Sequence, residues 1–141
     1  MSPSIRRRSL YFIQVVVPPA DLIVTGVGTA ATTVQAGQTV SVSNSIKNQG
    51  GTQTGPFTVA FYLSTNGTVG DGDDTVSTTS RTVSTLKPGA STPAKTAVLI
   101  PPGTAAGVYY LCAKADADDG VTESSKTNNG GCTTTTPTVF P

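Results

Sequence analysis

Apolar and polar residues alternate along most of the chain, which predicts a series of short β-strands. The clearest case is residues 57–64, where Phe57, Val59, Phe61 and Leu63 alternate with polar or small residues. That period of two is typical of a strand with one buried face. Turn residues rich in Gly, Pro, Asn and Asp separate this segment from its neighbours. The other predicted strands are 21–27, 39–48, 94–100, 108–115 and 133–139, with weaker edge strands within 76–86.

Seven or more strands at this spacing, with no sustained helical periodicity between them, predict a fold with two packed sheets. We expect an all-β, immunoglobulin-like antiparallel β-sandwich of about seven strands over residues 21–141, with an extra N-terminal strand. Within it, residues 107–111 are similar to a tyrosine corner, in which a Tyr hydroxyl bonds back to the backbone near the start of a strand.

Residues 1–20 form an N-terminal extension that differs from the rest of the chain. Arg6, Arg7 and Arg8 precede an apolar run, and Pro18-Pro19 ends it. The run is rich in β-branched and aromatic residues, which favours a strand, although a basic leader before a short apolar run also fits a signal peptide. The candidate assembly strand consists of Leu10, Tyr11, Phe12, Ile13, Val15, Val16 and Val17.

An apolar strand outside the sandwich needs a surface to cover it, because an exposed apolar edge promotes aggregation. Adding it to the sheet of another copy, or of a neighbouring surface domain, would supply main-chain hydrogen bonds and join subunits head to tail. Such a contact grows into a filament unless it closes into a ring. Folding back onto its own domain is the alternative if the segment is not a signal peptide.

The amino-acid composition argues against several classes of function. The chain has 141 residues, only 12% of them charged, and a formal net charge of +1, so a nucleic acid partner is not expected. It contains no His, the commonest general base and transition-metal ligand, and we therefore expect no enzymatic activity and no required cofactor. No apolar run is long enough to span a membrane as a helix.

Cys112 and Cys132 are the two cysteines. In a weakly charged chain rich in Thr, Ser and Gly they predict a disulfide and an extracellular or cell-surface location, with two free structural thiols as the alternative. By alternation, Cys112 and Lys114 face outward while Leu111 faces inward. The disulfide would then tie two neighbouring strands beneath the loop 116–131, rather than bridge the two sheets.

Two acidic clusters offer oxygen ligands of the kind that calcium prefers. Neither fits the twelve-residue calcium loop with its terminal Glu, and Asp-Gly and Asp-Asp are also ordinary material for solvated turns. The first cluster contains Asp71, Asp73 and Asp74, and the stronger calcium candidate contains Asp116, Asp118, Asp119 and Glu123. Separately, Asn66 begins a glycosylation sequon, Asn66-Gly67-Thr68.

Several segments, in order and at suitable spacing, carry a resemblance to a known family. Together they resemble the bacterial and archaeal cell-adhesion-related domain called CARDB, a seven-stranded immunoglobulin-like module. The resemblance runs from about Asp21 to Val139. The segments are Asp21-Leu22-Ile23-Val24, Ala36-Gly37-Gln38-Thr39-Val40, Ile46-Lys47-Asn48-Gln49-Gly50, Phe61-Tyr62-Leu63-Ser64, Leu86-Lys87-Pro88-Gly89, Gly107-Val108-Tyr109-Tyr110-Leu111 and Glu123-Ser124-Ser125-Lys126-Thr127-Asn128-Asn129.

The resemblance implies a repeat-forming spacer or adhesion domain of secreted proteins, without catalytic residues. The chain departs from the family at Lys126, where relatives usually have an acidic residue, and at Ser125, where they have Asn. If those positions help to form a calcium site in relatives, the substitutions argue against such a site here.

The leading interpretation is a structural or adhesive extracellular module, a subunit of a surface filament or other assembly joined by the N-terminal strand. Two alternatives stay open: a ligand- or calcium-binding surface module with residues 116–129 at its tip, and a virion-surface decoration domain. Calcium-dependent melting would favour the binding module, and concentration-dependent polymerisation would favour the filament.

Overall fold

The computed structural model describes residues 16–141, which contain ten strands. The part of the chain that is described contains no helix that could cross a membrane. The strands are β1 (Leu22–Gly28), β2 (Thr33–Gln35), β3 (Thr39–Asn48), β4 (Phe57–Ser64), β5 (Thr75–Val83), β6 (Ser91–Leu99), β7 (Gly107–Val108), β8 (Tyr110–Ala115), β9 (Gly130–Cys132) and β10 (Thr138–Phe140).

Seven of these strands form two antiparallel sheets, which confirms the predicted all-β sandwich. One sheet has the order β1-β3-β6, and the other has the order β5-β4-β8-β9. The longest ladder joins β3 to β6, from Thr39 opposite Leu99 to Lys47 opposite Ser91. A small third sheet has the order β2-β10-β7, with β2 parallel to β10. The sandwich therefore has seven main strands, as expected, and a short sheet at one end.

The core lies between the two main sheets and follows from alternation along their strands. On β4, Phe57, Val59, Phe61 and Leu63 are all buried, while the residues between them are only partly buried. On β3, Val40, Val42 and Ile46 point inward from the facing sheet, and Leu22 of β1 joins them. Because both sheets contribute alternate side chains, the core fills the space between them.

The predicted tyrosine corner is present. The Tyr109 hydroxyl donates to the Ala105 carbonyl oxygen at 2.7 Å, and the ring packs against the core. This bond fixes the chain as it enters β8. Leu111 is buried as predicted, and Ala113, two residues further along the same strand, is buried as well.

The predicted strand over residues 133–139 is wrong. Residues 130–132 pair with β8, residues 138–140 pair with β2 and β7, and the residues between them form no strand. The Thr133 hydroxyl explains the break, because it accepts from the Leu111 amide at 3.1 Å and donates to the Thr135 carbonyl oxygen at 2.6 Å. The Thr133 side chain thus takes the place of a backbone partner for Leu111 and bonds back to its own segment, where a continued strand ladder would otherwise run.

Candidate functional site

Val16 and Val17 are the two described members of the predicted assembly strand. They lie outside any strand of the structure, and their exposed fractions are 79% and 60%. The other five members, from Leu10 to Val15, lie outside the described residues. The described domain leaves Val16 and Val17 largely uncovered.

Immediately after these valines, the backbone is hydrogen-bonded to the sandwich. The Pro18 carbonyl oxygen accepts from the Thr52 hydroxyl at 2.7 Å, and the Pro19 carbonyl oxygen accepts from the Gly51 amide at 3.1 Å. Ala20 is buried. We call residues 18–22 the N-terminal junction. Among the described residues, hydrogen bonds with the domain begin at Pro18, three residues before the domain start at residue 21 that the sequence predicts.

Asn48, at the end of β3, organises the turn that receives the junction. Its side-chain oxygen accepts from the amides of Asp21 at 3.1 Å and Gly50 at 3.0 Å. Its amide nitrogen donates to the carbonyl oxygens of Thr52 at 2.8 Å and Leu86 at 3.0 Å. All four hydrogen-bonding positions of this buried amide are filled, so the side chain is stable in the interior.

The connection between β8 and β9, residues 116–129, is the acidic loop, and it begins with a buried carboxylate. The Asp116 side chain is 1% exposed, and it accepts from the amides of Gly120 at 2.9 Å and Val121 at 3.0 Å. Asp116 has a φ of 53°, in the left-handed region that Asp tolerates better than most residues. The carboxylate therefore shapes the turn of the acidic loop from inside it.

Glu123 joins the acidic loop to the N-terminal junction. Its carboxylate accepts from the Leu22 amide and from the Asn129 side-chain amide, each at 2.8 Å. The side chain has no exposed area. Burial raises the pKa of Glu123 above its usual value, and the nearby Asp116 carboxyl adds to the rise, whereas the bonds from Leu22 and Asn129 oppose it.

Lys126 places its ammonium among the acidic groups of the loop. The Nζ atom lies 2.6 Å from Asp119 Oδ1, 3.5 Å from Asp116 Oδ2 and 3.8 Å from Glu123 Oε2, and it also donates to the Val121 carbonyl oxygen. The hydrogen bond to Asp119 is the main reason that the pKa of Lys126 is raised. We call the ammonium and these four oxygen groups the lysine-centred cluster.

Three of the four predicted calcium ligands, Asp116, Asp119 and Glu123, meet in this cluster. Asp118 does not; its carboxylate accepts from the Thr58 hydroxyl at 3.2 Å instead. Lys126 was identified in the sequence only as a departure from the family pattern. The spacing of the acidic residues gave no sign that its ammonium would lie at their centre.

The first acidic cluster is also brought together, in the connection between β4 and β5, residues 65–74. Carboxylate oxygens of Asp71, Asp73 and Asp74 lie within 4.8 Å of one another, on largely exposed residues. Their partners are local: Asp73 accepts from the Thr65 hydroxyl, and Asp71 accepts from the Asn66 side-chain amide. This arrangement is that of a hydrogen-bonded turn. The predicted glycosylation at Asn66 stays a prediction.

The structure contains the Cys112–Cys132 disulfide between neighbouring strands. The two residues lie directly opposite each other on β8 and β9, with a Cα–Cα distance of 4.0 Å. Cys112 is nevertheless buried, although it was predicted to face outward. The connection 65–74 folds over this side of the sheet, so that a Cβ on Gly130 would lie 2.1 Å from Cγ1 of Val69. The outward face of β8 and β9 is thereby partly covered: Cys112 is buried, whereas Lys114 and the residues of β9 are only partly buried.

Comparisons with known proteins agree on the fold. The family model for CARDB matches residues 19–132. The crystal structure of a CARDB domain from Pyrococcus furiosus, in complex with di-metal ions, is similar with a TM-score of 0.59 and 20% identity, covering 92% of this chain and 97% of that one. A domain of a candidate cell surface protein from Methanosarcina acetivorans has a TM-score of 0.56 and 23% identity, covering 89% and 94%. The search of curated proteins gives no match.

Proposed function

The chain belongs to the CARDB family of cell-adhesion-related domains, and on that premise we propose that it is a structural or adhesive module of a cell-surface assembly. In this proposal the N-terminal segment joins each module to a neighbouring copy. The sandwich is the rigid body of the module, and the segment before Pro18 is its connector.

The exposure of Val16 and Val17 is the observation that carries the proposal. Both valines are largely exposed, and they directly precede a junction that is fixed by hydrogen bonds. Apart from Gln14, the apolar sequence continues from them back to Leu10. Each buried methylene contributes about 0.8 kcal/mol, so burying this run against another surface would be strongly favourable. Burial of its apolar side chains therefore favours binding of the connector to a surface outside its own domain.

The edges of the sheets supply a surface of the right kind. β1 and β6 are the edge strands of one main sheet, and β5 and β9 are the edge strands of the other. An edge strand presents unpaired main-chain groups that an added strand can bond, while alternate side chains of that strand enter the acceptor's core. A connector on one copy and an edge on the next are different surfaces, so the contact is heterologous and extends into a filament unless it closes into a ring.

A surface location and a non-catalytic role belong to the same proposal. The disulfide suits an oxidising compartment, and the relative from Methanosarcina is described as a candidate cell surface protein. The lack of His removes the commonest general base. The buried carboxylates of Asp116 and Glu123 are engaged with backbone amides, which is a structural use.

The test compares the full chain with a variant lacking residues 1–17, by size-exclusion chromatography and negative-stain electron microscopy. The deletion stops before Pro18 because the Pro18 and Pro19 carbonyl oxygens bond to Thr52 and Gly51. We expect the full chain to form oligomers or filaments, and the shortened chain to be a monomer with a similar melting temperature. Equal assembly of both chains, or a monomeric full chain, would refute the proposal.

A further inference from the structure

The similar CARDB domain from Pyrococcus furiosus was solved in complex with di-metal ions. The oxygen groups of the acidic loop in this chain are therefore compared with those that a metal ion requires. Asp116, Asp119 and Glu123 contribute carboxylates, and Val121 contributes a carbonyl oxygen, around one point. Oxygen groups of this kind are what calcium binds. In this chain that point is taken by the Lys126 ammonium, so the loop does not fit a divalent ion.

We infer that Lys126 is a built-in cation, which takes the position that a divalent metal ion would otherwise hold and makes the acidic loop independent of metal. The proposal concerns this chain alone, and it does not depend on the proposed assembly function.

The electrostatics of the loop explain why a cation is needed there. The side chains of Asp116 and Glu123 are 1% and 0% exposed, so two carboxylates are largely removed from water close to each other. Like charges in such a setting destabilise the ionised forms unless a positive charge lies nearby. The Lys126 ammonium lies within 4 Å of both carboxylates and bonds a third from Asp119. It thus provides the compensating charge.

The same geometry explains why the ammonium and a calcium ion exclude each other. Calcium would require oxygens at about 2.3–2.6 Å from a centre that Nζ already occupies, and the two positive charges would repel. The loop nonetheless retains an unused acceptor: Asn129 is 3% exposed, and its side-chain oxygen has no hydrogen-bond partner among the described residues. Its amide nitrogen donates to Glu123, so this acceptor lies next to the cluster.

The consequence concerns the N-terminal junction. Glu123 accepts from the Leu22 amide, and the Ser124 amide donates to the Ala20 carbonyl oxygen at 2.9 Å. The lysine-centred cluster therefore fixes the segment from which the connector emerges. With its own ammonium in place, the chain keeps this junction ordered whether or not calcium is present.

The test exchanges the charge at residue 126. Lys126→Glu removes the ammonium and adds a carboxylate, so the loop gains a fourth carboxylate and becomes a calcium site. With calcium at about 100 times its dissociation constant, linkage predicts a rise of about 10 °C in the melting temperature of this variant relative to EDTA. The unmodified chain should melt at the same temperature in calcium and in EDTA, and isothermal titration should detect no calcium binding to it.

Two control variants separate this effect from general changes in charge and folding. Lys87→Glu makes the same charge change on an exposed turn, and should show no response to calcium. Lys126→Met removes the ammonium without adding a ligand, and should melt at a lower temperature than the unmodified chain in both buffers. The inference is overturned if calcium stabilises the unmodified chain, if Lys126→Glu is indifferent to calcium, or if Lys126→Met is as stable as the unmodified chain.

Discussion

Gly50 lies where the turn after β3 meets the N-terminal junction. A Cβ at this position would be 2.2 Å from the Pro19 carbonyl oxygen and 2.6 Å from the Ala20 carbonyl carbon. Both are backbone atoms, and the adjacent Pro19 oxygen is held by the Gly51 amide, so neither can turn away. The N-terminal junction can therefore pack this closely against the turn only because residue 50 has no side chain.

Replacing Gly50 with Ala should force this backbone apart and lower the free energy of unfolding by about 1–3 kcal/mol, the usual range for overpacking. Gly55→Ala is the matched control, since a Cβ there meets nothing within 4 Å and should change stability by about 0.5 kcal/mol or less. Urea unfolding of the two variants makes the comparison. Equal stabilities would show that the junction is not packed as described.

The residues of the candidate site were only partly predictable from the sequence. Acidic residues at 116, 118, 119 and 123 are close in sequence, which indicated a shared loop. Their directions depend on the backbone: Asp118 bonds to Thr58 on another strand, while Asp116 turns inward at a positive φ. The burial of Glu123 depends on the junction that covers it, from a hundred residues away in sequence. Local patterns do not contain that information.

At the scale of elements, β8 and β9 form a pair that the acidic loop connects and the disulfide closes. Only three residue pairs join the two strands, from Cys112 opposite Cys132 to Lys114 opposite Gly130. So short a ladder gives little independent stability. The covalent bond therefore fixes the register of β9 and, with it, the base of the acidic loop.

Replacing both cysteines with Ala should reduce the free energy of unfolding by about 3 kcal/mol, because the bond closes a loop across a sequence separation of 20 residues. Denaturant unfolding of the double variant, beside the unmodified chain in the presence and absence of a thiol reductant, would measure the loss. Reduction should lower the stability of the unmodified chain by a similar amount and leave the variant unchanged. If the variant is as stable as the oxidised chain, β9 does not depend on the disulfide.

Strands were predictable where they bury one face and not where their pairing alone defines them. β3 and β4 have the predicted bounds, since alternating side chains enter the core along their whole length. β2 and β10 were not distinguished, because each has three residues and the two are held by parallel pairing across about a hundred residues of sequence. Alternation indicates burial, and it carries no information about which distant segment completes a short ladder.

In the molecule as a whole, the N-terminal junction is hydrogen-bonded to the sandwich, and the connector starts from the surface at that junction. If residues 10–17 add to a neighbour as a strand, alternation places Tyr11, Ile13, Val15 and Val17 on one face and Gln14 on the other. The continuous apolar face is the one that would enter the acceptor's core. The assembly proposal therefore predicts that a charge at Ile13 prevents assembly, whereas the same charge at the adjacent Gln14 does not.

The most direct measurement is the assembly state of Ile13→Asp and Gln14→Asp beside the unmodified chain, by sedimentation velocity and electron microscopy at equal concentrations. The two variants carry the same added charge one residue apart, so net charge and folding of the sandwich are matched. The account predicts that Gln14→Asp assembles like the unmodified chain while Ile13→Asp remains monomeric. Assembly of Ile13→Asp to the same extent as Gln14→Asp would contradict strand addition by this segment.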